Sequence, residues 1–181
     1  MLHDCKPLEC SNYHKVLEMR IFGKNAGRNE IREALELVTE GINLANKGRF
    51  EEAIRFFERA IRLNPRDVNA WFNRGAALGR LGRHEEAIKC YDRVIDLHPK
   101  HSGVWFNKAV NLNKLGRHEE ALKCYDRVIQ LNQRDVDAWI NKGVILGKLG
   151  RRQESSECFD RAMELDPNRT IERLLSIGMS L

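Results

Sequence analysis

Trp71, Trp105 and Trp139 stand 34 residues apart, and most of their surroundings repeat with them. A fixed period in this range excludes an ordinary globular domain, because each short unit can bury its apolar face only against the next one along a line. Four residues after each tryptophan comes Gly75, Ala109 or Gly143, and eleven after it Gly82, Gly116 or Gly150. The small residues Ala87, Ala121 and Ser155 follow, then Tyr91, Tyr125 and Phe159. An earlier copy lacks the tryptophan but keeps Leu37, Gly41, Gly48, Ala53, Phe57 and Pro65 in the same places. The units are therefore 34–67, 68–101, 102–135 and 136–169.

Each half of a unit has helical spacing. Trp71, Gly75 and Leu78 lie three and four apart, as do Ala87, Tyr91 and Val94, with Ile88 and Ile95 widening the second stripe. Two antiparallel helices per unit follow. Gly48, Gly82, Gly116 and Gly150 fall where the first helix must stop, a place that suits a residue free to turn left-handed. Pro65, Pro99 and Pro167 mark the end of the second helix, with Gln133 as the exception. Asp67, Ser102 and Asp135 are the expected N-caps of the following helices. The fold class read from this pattern is all-α, a solenoid of antiparallel helix pairs.

The order tryptophan, small residue, alanine, aromatic and closing proline resembles the tetratricopeptide repeat family, over about three quarters of the chain. The resemblance implies a right-handed α-α superhelix whose concave face, made by the first helix of each pair, holds a peptide. Glu40, Arg74, Lys108 and Lys142 depart from it by standing where the family most often has leucine, and their stems are expected to lie along apolar surface with the charge at the edge. Residues 170–181, with Ile171, Leu174, Leu175 and Ile177, resemble the family's C-terminal capping helix. Residues 1–33 fit no repeat and read as a partial N-terminal cap or a loose tail.

The first thirty residues hold no uninterrupted apolar run, so neither a leader nor a membrane span is expected and the cytoplasm is the default location. Five cysteines are an odd number, and Cys90, Cys124 and Cys158 lie one full unit apart, too far for pairing. Reduced thiols follow. Cys5, Cys10, His3 and His14 match no usual zinc spacing. His84 and His118 read as ordinary core or surface histidines. The repeated acids Glu85 and Glu86 before Lys89, and Glu119 and Glu120 before Lys123, read as a solvated face with acid-before-base pairs. No phosphate-cradling loop and no nucleophile with a base at suitable spacing is present, so neither a cofactor nor catalysis is expected.

Residues seven apart on a helix nearly superimpose, and Asn73 with Arg80 fall roughly 160° from Trp71. Asn107 with Lys114, and Asn141 with Lys148, repeat that geometry, and Asn69, Ala76, Val110 and Val144 lie nearby. An amide can donate to and accept from a peptide bond at once, and the cations favour an acidic chain, in keeping with a net charge of +5. These ten residues are the candidate peptide site, and the chain is read as a non-enzymatic scaffold for another protein. The family's two-carboxylate clamp for chaperone tails needs lysine where Val38, Phe72, Phe106 and Ile140 stand, so that ligand is not supported. Two alternatives belong to other classes. The basic charge raises RNA, as in pentatricopeptide repeats, but those have a 35-residue period and base-reading residues that this chain lacks. The apolar C-terminal helix around Leu174, Leu175 and Ile177 raises self-association.

Overall fold

The computed structural model describes residues 29–178, and every regular element among them is a helix. Helix α1 spans residues 29–46. It is followed by α2 (Phe50–Leu63), α3 (Val68–Arg80), α4 (His84–Leu97), α5 (Ser102–Lys114), α6 (His118–Leu131), α7 (Val136–Lys148), α8 (Arg152–Leu165) and α9 (Pro167–Ser176). Odd-numbered helices from α1 to α7 are the inner members of four antiparallel pairs and even-numbered ones the outer members. Each pair packs on the next, so the whole is an α-helical superhelix. Cys5, Cys10, His3 and His14 lie outside the described residues, as does most of the 1–33 segment; residues 29–33 add a turn to the start of α1.

Inner and outer helices of a pair approach where a side chain is missing. A Cβ added to Gly75 would stand 2.8 Å from the Tyr91 ring, well inside van der Waals contact, and the same holds for Gly143 against Phe159. In the turn that joins the two helices of each pair, Gly48, Gly82, Gly116 and Gly150 adopt φ of 75° to 77°, which other residues take only at a cost of about 1 kcal/mol or more. Successive units are hooked together by polar contacts on an apolar seam. Each tryptophan donates its indole N–H to a carbonyl of the preceding unit: Trp71 to Pro65 (3.0 Å), Trp105 to Pro99 (2.9 Å) and Trp139 to Gln133 (3.1 Å). The acceptor is a backbone oxygen, which is why glutamine serves at 133 as well as proline does elsewhere.

The cations at the leucine station have a specific role. Arg74 reaches Glu58 at 2.8 Å, Lys108 reaches Asp92 at 2.5 Å and Lys142 reaches Asp126 at 2.7 Å, each acid lying on the outer helix of the unit before. Their stems cross the tryptophan rings, with the charge 5.7 to 6.0 Å from the ring centre. A second set of pairs differs from expectation. Glu86 and Glu120 bond back to Arg83 and Arg117 at the helix starts, with oxygen to nitrogen distances of 2.6 to 2.7 Å, instead of forward to Lys89 and Lys123. Both pairs are well exposed and add little stability.

Asp67 and Asp135 cap α3 and α7 by accepting from Ala70 N and Ala138 N. Ser102 does not cap α5. It is the first helical residue, and His101, at the station of those aspartates, precedes it without a side-chain cap. Ser155, at a station that is otherwise alanine, is buried and donates its hydroxyl to Gly143 O at 2.8 Å, so its polar atom is satisfied inside the pair. The final helix starts at Pro167, three residues before the expected 170, because Asp166 accepts from Arg169 N and proline suits a first helical turn, where no N–H is needed. Leu174 is buried against Ile140 and Ala162. Of the three residues expected to expose a self-association face, only Leu175 and Ile177 remain at the surface, 60% and 44% exposed.

Candidate functional site

The inner helices bring one residue per turn to the hollow side, and a cavity of about 750 Å³ opens there between the first three units. From α3 it is lined by Asn73, Ala76 and Arg80, and from α5 by Asn107, Val110 and Lys114. These are six of the ten residues named from the sequence. Asn46 and Phe50 close it on one side, and His84, Phe106 and Asn111 complete the floor. No carboxylate lines it, while two cations and four amides do. The Arg80 guanidinium stands 5.9 Å from the centre of the Phe50 ring, which holds the charge at the edge of the hollow. Asn73 donates to Asn69 O at 2.9 Å, leaving its amide oxygen to accept.

The remaining four residues, Asn69, Asn141, Val144 and Lys148, do not line this cavity. Val144 packs against the Ile140, Ala162 and Leu174 cluster, beside the closing helix α9. Asp137, at the station that holds Asn69 and Gly103 in earlier units, is taken by two arginines of α9: Arg169 bonds it directly and Arg173 approaches to 3.7 Å. A second hollow of about 760 Å³ lies here, lined by Phe106, Asp137, Asp166, Arg169, Glu172 and Arg173. The cavity thus takes the cations of two units, Arg80 and Lys114, and beyond Phe106 the surface carries both signs.

Periodicity gave no warning of the polar cluster under the cavity. Asn111 is only 6% exposed; it donates through Nδ2 to Asn107 O (2.8 Å), and its Oδ1 lies 2.8 Å from His84 Nδ1. Since the amide nitrogen is committed to Asn107, Oδ1 is the acceptor and His84 Nδ1 carries the proton. Gly79 makes room: a Cβ there would come within 2.9 Å of Asn111 Oδ1. His84 thus lines the cavity with its ring held by Asn111. The available signal was an amide at a station filled by Ala77 and Ile145 in the neighbouring units.

The thiols at the repeated cysteine station lie away from this hollow and are buried and unpaired. Burial pushes the Cys124 thiol up to about 11, opposed in part by the Lys108 charge. Such thiols are poor nucleophiles.

A row of helical hairpins with a lined hollow defines a class of scaffolds, and the comparisons give the family. Tetratricopeptide repeat models match residues 38–102, 103–135 and 136–169. The chain belongs to the tetratricopeptide repeat family, whose members are scaffolds for contacts between proteins. An uncharacterised protein of Methanocaldococcus jannaschii, MJ0572, is 41% identical over 47 residues, which span 26% of this chain and 55% of that protein's length. Among solved structures, MamA superposes with a TM-score of 0.74 at 18% identity, covering 93% of this chain and 98% of MamA. MamA 41-end from Desulfovibrio magneticus RS-1 gives 0.72 at 16% identity, covering 88% and 97%. The first repeat domain of Spaghetti (RPAP3), bound to the HSP90 peptide SRMEEVD, gives 0.65 at 23% identity, covering 66% and 95%. These likenesses concern the fold.

Proposed function

We propose that this protein holds an extended, acidic segment of a partner protein in the hollow formed by α3 and α5. The observation that carries the reading is the lining itself: Asn73 and Asn107 one unit apart, Arg80 and Lys114 beside them, and no acid among the lining residues. Amides at repeat spacing can hold a backbone whatever its side chains, each bond contributing about 0.5–1.5 kcal/mol, and the cations select for negative charge. The peptide seen with the similarly folded RPAP3 domain, SRMEEVD, is itself acidic, which supports the chemistry. Phe72 and Phe106 stand where a chaperone-tail clamp would place lysine, so a different acidic segment is the expected occupant. Action in the cytoplasm accords with three unpaired thiols in the repeats and with the finding that no described helix is long and apolar enough to cross a membrane.

The test is capture of partners from lysate by the full chain. Changing Asn73 and Asn107 together to alanine should abolish it while helicity is retained, and an Asn141→Ala variant should capture normally. Reversing Arg80 and Lys114 to glutamate should likewise abolish it. Unchanged capture by the double alanine variant refutes the groove assignment.

A further inference from the structure

The junction between the second and third units differs from the other junctions in what it buries. At the first junction the stations of His84 and Asn111 hold Phe50 and Ala77, and the two pack without polar atoms. At the third they hold His118 and Ile145, and His118 Nδ1 is buried with no hydrogen-bond partner among the described residues. Only at the second does an amide meet the imidazole, with Gly79 supplying the space. A buried amide contributes little net stability even when fully bonded, and the chain's own copies show that phenylalanine with alanine packs in its place. Stability alone therefore gives no reason for the pair.

Geometry gives one. Asn111 holds the His84 ring by Nδ1, at the edge of the cavity that Arg80 and Lys114 flank. With Nδ1 donating, Nε2 is the ring's free polar atom and an acceptor. A lining with two cations and an acceptor fits a chain whose carboxylates meet the cations and whose backbone N–H needs a partner.

We infer that His84 is a specificity-determining residue of the groove, accepting a backbone N–H of an acidic peptide at Nε2 while Arg80 and Lys114 take its carboxylates. Asn111 is its positioning residue. This rests on the groove reading above and adds the subsite within it. The ligand class is a peptide with consecutive acidic residues, seated at the second junction and not at the α9 end.

The experiment titrates the full chain with capped tetraglutamate and, in parallel, capped tetraglutamine, following side-chain resonances of His84, Asn73, Asn107, Arg80, Arg169 and Arg173 by NMR. Tetraglutamate should move His84, Arg80 and the two amides, at lower concentration than tetraglutamine does. The double variant His84→Phe with Asn111→Ala installs the residues of the first junction, so it should fold, and it should bind tetraglutamate about fivefold more weakly, the loss expected for one hydrogen bond. Asn111→Ala alone keeps the imidazole but frees it, and should weaken binding by a smaller factor. His118→Phe, one unit on, should change nothing. If the double variant binds as tightly as the natural chain while Asn73→Ala with Asn107→Ala does not, the role of His84 is overturned and the groove reading stands. Shifts confined to Arg169 and Arg173, or none at all, overturn both.

Discussion

Lys108 offers a sharp test of how neighbouring units are joined, because its replacement by alanine and by leucine should have different consequences. Its side chain is 20% exposed, its ammonium lies 2.5 Å from Asp92 and 5.8 Å from the Trp105 ring centre, and its partner acid is half exposed. The ion pair, discounted for that exposure, contributes about 0.2–1 kcal/mol. The charge over the ring adds about 0.5–1 kcal/mol. The stem contributes most: alanine removes three methylenes that are largely covered, at about 0.8 kcal/mol each when fully buried. Lys108→Ala should therefore cost about 3–4 kcal/mol. Leucine keeps most of the covered area and gives up only the charge, and Asp92 stays hydrated, so Lys108→Leu should lie within about 1 kcal/mol of the natural chain. Urea unfolding followed by circular dichroism and by tryptophan fluorescence reads both values; with a slope of about 2 kcal/mol per molar, alanine moves the midpoint down by about 1 M or more. The two probes should agree if the array unfolds as one unit. Should leucine cost as much as alanine, charge and not covered stem joins the units, and the reasoning fails.

Gly116→Ala forces a side chain onto a φ of 75° and should cost about 1 kcal/mol in the same assay, whereas an effect near zero would mean that the turn relaxes freely. Burial holds the Tyr91 and Tyr125 phenols well above their usual range and the Cys124 thiol up to about 11. Raised values mean that the folded chain keeps protons which the unfolded chain gives up, so stability is intact below about pH 8.5 and declines as the pH rises through 10 and 11; urea midpoints across that range check the sign. With Cys5 and Cys10 replaced by serine, the remaining thiols should react with a disulfide reagent only as fast as the fold opens, and immediate labelling at pH 8 would contradict their burial. Single-stranded RNA should bind weakly, without sequence preference, and be released between 50 and 200 mM salt; tight binding that survives salt would favour the RNA alternative.

What could be read in advance was whatever recurs. Tryptophan, glycine and aromatic stations predicted the helix pairs and the left-handed turns because each copy solves the same packing problem. Misreadings cluster where a copy departs from the others. Ser102 reads as a cap because the aspartate station holds His101, and serine next door has the right chemistry at the wrong position. Symmetry places Asn141, Val144 and Lys148 on the groove face, and what no earlier unit foreshadows is that α9 packs beside Val144 while its arginines engage Asp137. Asn111 escapes the pattern for the converse reason, as a polar residue at a station where Ala77 and Ile145 are apolar. The leucine-station cations were legible as charged stems on apolar surface, but their acids lie 16 residues upstream on the outer helix of the previous unit, beyond the reach of a pattern read within one helix.

The indole N–H of each tryptophan engages a main-chain oxygen, an acceptor present whatever residue supplies it. A fastening that ignores side-chain identity is interchangeable, so descendants of this gene could gain or lose segments of 34 codons and still couple at the new seam. Because donor and acceptor are only six residues apart, an indel between them would break the coupling, and changes of length in such a lineage should spare that short span.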